Sequence, residues 1–235
     1  MSHPESHRLT QVPSTLDVIH ELAAGGAPHG TVVLAEEQLQ GRGTRGRTWH
    51  SPPGGFWYSI LYREITEGAL ELLSLRIGLA VARAIESVAP TVRLGIKWPN
   101  DIMLDDKKAG GILCEARWQG AALSWIAVGV GVNVANPIPP DVSDTATTLA
   151  SRIPGINPEL LLAPISRALR SLPLNVAAFS ADEQAMLNGR DWLQGRAMKE
   201  PVAGVARGIQ PDGSLLVEQP DGTILGVRAG RVLLD

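Results

Sequence analysis

The chain has 235 residues and a formal net charge of −3, with 44% hydrophobic and 19% charged residues. That is enough length for one medium domain, or a large and a small one, and too apolar a composition for wholesale disorder. A single cysteine, Cys114, excludes a disulfide scaffold and Cys-rich zinc or redox motifs, and fits a reducing compartment.

Residues 1–10 lack the basic start and apolar core of a signal peptide. The most apolar stretch, 121–135, is interrupted by Ser124, Asn133 and glycines and is too short to span a bilayer, so a cytoplasmic protein without a membrane partner is expected. Residues 31–36 read as a short buried strand, followed by a glycine–arginine loop at 41–47 that runs on into Ser51, Pro52, Pro53, Gly54 and Gly55. Residues 56–62 are aromatic and β-branched enough to resume a strand. Between 70 and 88, Leu72, Leu75, Leu79, Ala82 and Ile85 recur at helical spacing, and Pro90 closes the helix. A strand at 92–97 is broken by Trp98, Pro99, Asn100 and Asp101, and residues 102–104, 111–118 and 123–134 follow as sequential strands with a turn at Gln119 and Gly120. Such a series favours an α+β fold with an antiparallel or mixed sheet over a βαβ array. A Pro-rich connection at 136–141 leads to helices at 158–172 and 176–187. The tail alternates short β-prone runs with turns, Pro211-Asp212-Gly213 being echoed by Pro220-Asp221-Gly222, which predicts a small β-barrel or sandwich. A boundary near Gly195 divides domains 1–194 and 195–235.

Four of the 21 basic residues are lysines (Lys97, Lys107, Lys108 and Lys199), and three of these fall within twelve positions. The loop Gly41-Arg42-Gly43-Thr44-Arg45-Gly46-Arg47 formally satisfies the dinucleotide fingerprint. The residues after it (Trp49, His50, Ser51, Pro52, Pro53) cannot open the helix that fingerprint needs. Glycines interleaved with arginines instead suit a flexible backbone wrapped around a phosphate or carboxylate. No lysine follows a glycine, so a P-loop is absent; His20-Glu21 lacks a second histidine at zinc spacing; no nucleophile elbow exists. His3, His7 and His29 read as surface groups.

Pro99 stiffens the corner that presents Lys97, Asn100 and Asp101, whose ammonium and carboxylate are either ligand groups or an ion pair four residues apart. Lys107 and Lys108 precede Gly110 and Gly111, where a ligand could lie against bare backbone, or where a hairpin is kept soluble by its lysines. The run Gly129-Val130-Gly131-Val132-Asn133 is another glycine-relieved strand, ending in an amide.

Taken in order, Ser14-Thr15, residues 36–47 with Trp49, residues 97–101, 108–115 and 129–134 resemble the biotin protein ligases, and the likeness runs on into the tail at Arg207-Gly208-Ile209. It implies a class II synthetase-like catalytic domain with a mixed or antiparallel central sheet and a C-terminal SH3-like barrel. It further implies that biotin and ATP, with Mg²⁺, condense to biotinyl-5′-adenylate before transfer to a lysine of the biotin carboxyl carrier domain of acetyl-CoA carboxylase or a related carboxylase. Carried over by position, Ser14, Thr15 and Gln38 meet the ureido ring; Gly41, Arg42, Gly43 and Thr44 close over biotin; Lys108, beside Gly111, meets its carboxyl. Arg42 and Lys108 are the expected catalytic cations, a lysine being compact enough to sit between two reacting anions. Arg45, Trp49, Lys97, Asn100 and Asn133 fall on the nucleotide side, and Asp101 on the metal side. Lys107 is expected to be merely solvated.

Two positions depart from the pattern. Leu16 stands where members often have asparagine, leaving a backbone contact to biotin, and Thr44 stands where many carry another loop cation, which implies looser retention of the adenylate. About a dozen residues precede Ser14, too few for the DNA-binding domain some members carry, so ligation without repression and without a nucleic-acid partner is expected; the weakly acidic balance agrees. The resemblance also admits a homodimer built through the central sheet. Two rivals are a lipoate–protein ligase of related fold, which lacks the paired loop and Lys-Trp-Pro-Asn-Asp corner, and a non-enzymatic phosphate-binding adaptor, for which the tail has no basic excess.

Overall fold

Two-residue alternation along the central strands sorts their side chains onto two layers. The computed structural model describes residues 4–234, so His3 lies outside the described residues. In chain order the elements of the large sheet and its helices are β1 (Ser6–Val12), α1 (Thr15–Ala24), β2 (Val32–Gln38), β3 (Phe56–Tyr62), α2 (Glu67–Val88), β4 (Leu94–Lys97), β5 (Asp101–Leu104), β6 (Lys107–Gln119) and β7 (Ala122–Val132). They are followed by α3 (Pro158–Arg170), α4 (Ala181–Asn188), β8 (Ala197–Glu200), β9 (Gly204–Ile209), β10 (Leu215–Glu218), β11 (Ile224–Val227) and β12 (Leu233–Leu234). The large sheet has seven strands in the order β1-β2-β3-β7-β6-β5-β4. Only the β1–β2 pair is parallel, so the sheet is mixed.

On one face Val32, Tyr58, Ile60, Ile112, Val128 and Val130 pack against the apolar stripe of α2 (Leu72, Leu75, Leu79, Ala82) and against Leu161, Ile165 and Leu169 of α3. On the other face Val33, Leu61 and Ala127 pack against Leu16, Ile19 and Ala23 of α1. Beyond Trp125 this second face is thinly covered, because towards its end β7 offers only Ala127, Gly129 and Gly131 there. The five-stranded antiparallel sheet, ordered β11-β10-β9-β8-β12, adds Met198, Ala206, Ile209, Leu215 and Val217 to the larger of the two cores.

Strands 56–62 and the helix ending at 88 lie where the sequence puts them. The helix expected from residue 176 starts instead at Ala181, with Ser180 and Glu183 forming a reciprocal capping box. The stretch before it is held irregular because Pro173, Val176 and Ala178 give their carbonyls to the buried Arg76 guanidinium, which also pairs with Glu183. Strand β7 stops at Val132, two residues short of the expected end, because the Val134 N–H donates to Asn136 Oδ1 and leaves the ladder. Sequence reasoning missed β1 and α1 altogether.

Candidate functional site

The register of the large sheet lines up Lys97, Asp101, Gly111, Gly131 and Trp57 as successive cross-strand neighbours. Directly opposed residues share a face, so this row carries two charged groups followed by two glycines. The glycines form a floor. A Cβ on Gly131 would lie 2.6 Å from Trp49 Nε1, and one on Gly111 would lie 3.3 Å from Lys108 Nζ. Trp49 and Lys108 therefore occupy space that side chains at those strand positions would fill. Beside them a Cβ on Gly129 would lie 3.1 Å from Leu16.

Above this floor is a cavity of about 700 Å³. Ser14, Thr15, Leu16, Gln38, Arg42, Gly43, Thr44, Arg45, Trp49, Lys97, Asn100, Asp101, Lys108, Gly111 and Asn133 all line it. Gly41, the remaining candidate, lies behind the wall: a Cβ there would come within 2.3 Å of the Trp49 carbonyl, so glycine is what lets the two arms of the loop close.

One end of the cavity is neutral and polar. Ser14 caps α1, its Oγ accepting the Leu16 N–H at 3.3 Å, and Gln38 Oε1 accepts from the Thr15 N–H at 2.8 Å and the Thr15 hydroxyl at 3.0 Å. Gln38 Nε2 donates to Ser51 Oγ at 2.8 Å, and the Thr15 and Ser59 hydroxyls are 2.7 Å apart. Helix cap, strand end and loop are thereby locked into one preformed patch.

The other end is cationic. Lys108 Nζ lies 2.5 Å from Asp101 Oδ1 and 5.1 Å from the centre of the Trp49 ring. The i,i+4 spacing suggested that Asp101 would pair with Lys97; its salt bridge is instead with Lys108, brought across from β6, while Lys97 Nζ stands over the Trp192 ring at 5.4 Å. Burial first, then the cations Lys108, Arg231 and Arg47, lower the Lys97 pKa against the pull of Asp101. Asn100 donates to the Ile112 carbonyl (2.8 Å), bracing the corner. Asn133 Oδ1 accepts from Asn136 Nδ2 at 3.3 Å.

The glycine–arginine loop, expected to be flexible, is a closed miniature hairpin. Trp49 N–H donates to Gly41 O (2.8 Å), Gly43 N–H to Arg47 O (2.7 Å), and Arg45 sits at the tip with a positive φ of 60°. Arg42 does not stand free as a cation: Nε and Nη2 donate to Glu115 at 2.8 and 3.1 Å, and Nη1 to Asp17 at 2.7 Å. Lys107, expected to be only solvated, is exposed and donates to the Ser143 carbonyl at 2.8 Å. Sequence reasoning also missed Asp17, Glu115 and the tail segment with Arg231, which lines the cavity; no local motif marks any of them.

Comparison with known proteins places these features in a group. The family model of the biotin/lipoate A/B protein ligase family matches residues 9–133. The chain is 32% identical over 224 residues to the bifunctional ligase/repressor BirA of Bacillus spizizenii, covering 90% of this chain and 68% of the relative. It is 32% identical over 219 residues to the biotin–[acetyl-CoA-carboxylase] ligase of Paracoccus denitrificans, covering 85% and 88%. Among solved structures, the biotin protein ligase of Aquifex aeolicus in complex with biotin and ATP superposes with a TM-score of 0.78 at 25% identity, covering 99% of this chain and all of the other.

Proposed function

The chain belongs to the biotin/lipoate A/B protein ligase family, and we propose that it joins biotin to ATP, forming biotinyl-5′-adenylate and pyrophosphate, then passes the biotinyl group to one lysine of a biotin carboxyl carrier domain. The observation that carries this reading is the polarity of the cavity: a preformed hydroxyl–amide patch at Ser14, Thr15 and Gln38, and ammonium groups at the opposite end. A ligand with a neutral, hydrogen-bonding head and an anionic tail fits that gradient. The patch takes the ureido ring, Leu16 and the Gly129–Gly131 floor take the apolar body, and the carboxylate reaches Lys108.

Lys108 then lies where the carboxylate oxygen attacks the α-phosphorus and pyrophosphate departs. Its compact charge offsets the repulsion of two approaching anions, and the Trp49 ring stands 5.1 Å from the ammonium. Lys97 and Arg231 face the departing phosphates, with Asn100 and Asn133 on the nucleotide side. In the second step a carrier lysine amine attacks the acyl carbon, AMP leaves, and the amine releases its proton. Mg²⁺ supplies charge neutralisation to the triphosphate and would be held mainly through phosphate oxygens and water. Asp101 reaches that end of the cavity with Oδ1 on Lys108, so a metal held there would compete with the ammonium for the carboxylate.

We read residues 195–235 as a distinct SH3-like unit, a reading supported by the small sheet's drawing all of its strands from after Gly195. The open side of edge strand β1 supports a dimer through the large sheet. No helix among the described residues is long and apolar enough to cross a membrane.

The test mixes the protein with ATP, Mg²⁺, a carrier domain and either biotin or lipoate, and follows pyrophosphate and carrier mass. A biotin-dependent mass gain, lost in Lys108→Ala with the melting temperature retained, is expected. No gain with biotin, or a gain with lipoate alone, overturns the reading.

A further inference from the structure

Arg42 connects three elements. It belongs to the loop over the cavity, it reaches Asp17 in the first turn of α1, and it grips Glu115 of β6 through two nitrogens. Asp17 follows directly on the Ser14–Leu16 segment that lines the neutral end of the cavity. A guanidinium held by two carboxylates, one of them bidentately, is fixed in position and leaves little net positive charge for a ligand.

Behind Glu115 stands a second tier. His20 Nε2 lies 2.8 Å from Glu115 Oε2, the same carboxylate that holds Arg42, and its side chain is only 11% exposed. Trp125 Nε1–H donates to His20 Nδ1 at 3.0 Å. An indole nitrogen only donates, so Nδ1 must accept, the ring proton is on Nε2, and Nε2–H donates to Glu115. The chain Trp125, His20, Glu115, Arg42 thus has a single direction of donation over its first two links, and Glu115 is aimed from behind at the loop arginine. With His20 neutral, the four groups Asp17, His20, Arg42 and Glu115 sum to one negative charge, whereas the opposite end of the cavity is positive.

We propose that Glu115 and His20 are positioning residues that, together with Asp17, clamp the glycine–arginine loop through Arg42, and that this clamp, not an Arg42–ligand contact, sets how firmly the cavity holds biotin. The inference rests on the proposed biotin-ligase reading for the identity of the ligand and on the structure alone for the clamp.

Two readouts separate them. The first is trypsin cleavage after Arg45 and Arg47 in the unliganded full chain, which reports loop closure without any ligand. Glu115→Gln and Asp17→Asn should each speed cleavage at these sites about tenfold, since each loses a charge-assisted contact, with no change in cleavage elsewhere. The second is biotin binding by calorimetry and steady-state kinetics. The same variants should weaken biotin binding and raise KM for biotin about tenfold while kcat at saturating biotin moves less than about threefold. His20→Ala should show a smaller effect of the same sign, and His20→Gln, which keeps a donor, should recover part of it. In the double variant Arg42→Ala/Glu115→Ala the loss should equal that of Arg42→Ala alone. Wild-type biotin binding and wild-type cleavage in Glu115→Gln and Asp17→Asn, or additive losses in the double variant, overturn the clamp. Faster loop cleavage in a protein that binds no biotin leaves the clamp standing and overturns the ligand assignment instead.

Discussion

The Trp98 indole N–H donates to the Gly213 carbonyl at 3.0 Å, joining the stiff corner that carries Lys97 and Asp101 to a turn of the small C-terminal sheet. Gly213 has a positive φ of 81°, and a Cβ there would lie 2.7 Å from Leu72 Cδ2 of α2. The turn is thus seated simultaneously on a helix and on the 97–101 corner. Trp98→Phe, which removes the donor and strands a buried carbonyl, should lower unfolding free energy by about 1–3 kcal/mol. Gly213→Ala adds backbone strain and a steric clash and should cost at least as much, about 1–3 kcal/mol or more. Urea denaturation of both variants checks this; wild-type stability in Gly213→Ala would contradict the seating.

The two floor glycines of β7 should differ in their response to the same added methyl group. Gly131→Ala drives into the rigid Trp49 ring at 2.6 Å and should reduce pyrophosphate formation by on the order of 10²-fold, as displacement of a positioning group does. Gly129→Ala meets the movable end of Leu16 at 3.1 Å and should cost less than about tenfold. Equal losses at the two positions would reject the distinction.

Replacing the ammonium at the cationic end should separate charge from size. Lys108→Ala is expected to reduce kcat for adenylate formation by about 10²–10³-fold, the scale for losing one preorganised donor at developing charge. Lys108→Arg keeps the charge but brings a broader, planar head into space bounded by Trp49 and the Gly111 backbone, and should recover little of that loss. Full activity in the arginine variant would show that compactness is irrelevant.

On the proposed reading, the loop tip governs retention of the activated intermediate. Arg47 Nη2 donates to Thr44 Oγ1 at 3.0 Å and its Nε to the Thr44 carbonyl at 3.3 Å, so one loop cation is turned back on the loop itself. Thr44→Arg removes the hydroxyl acceptor and puts a cation at the cavity rim. Biotin labelling of bulk protein lysines should fall several-fold in this variant. Unchanged labelling would sink the idea that Thr44 loosens retention.

Acid should release the clamp. The His20 hydrogen bond first, then Arg42, hold the Glu115 carboxyl down from 4.5 to about 2, against the opposing effect of burial. A depressed carboxyl stabilises the fold fully above its unfolded value and loses that contribution as pH falls through the folded one. The stability gap between wild type and Glu115→Gln should therefore be constant above about pH 5 and shrink between 4.5 and 2. Chemical denaturation at stepped pH measures it; a gap that persists at pH 2 would contradict the assignment.

What was legible in the sequence follows the range of the interaction that carries it. Strand β3 and helix α2 announce themselves through unbroken apolar runs and 3.6-residue periodicity, and the corner at 97–101 and the loop at 41–47 are dense local motifs. Helix α1 had a signal that went unused: Ser14 as cap, Asp17 in the first turn, and Leu16, Ile19 and Ala23 on one face. Edge strand β1, exposed along most of its length, has no apolar pattern to read. The partner of Asp101 was invisible because the choice between Lys97 and Lys108 is made by the pairing of β5 with β6. His20 and Glu115 lie 95 positions apart and meet only once α1 docks on the sheet.

The floor of the cavity is defined by atoms that are not there. At Gly111, Gly129 and Gly131 every substitution adds matter, so variation at these positions can only make the cavity shallower. A deeper or differently shaped cavity has to come from the walls, from Leu16 or the residues around Trp49, where side chains can be shortened as well as exchanged. An engineer seeking a bulkier substrate should leave the strands alone and work on the helix end and the loop.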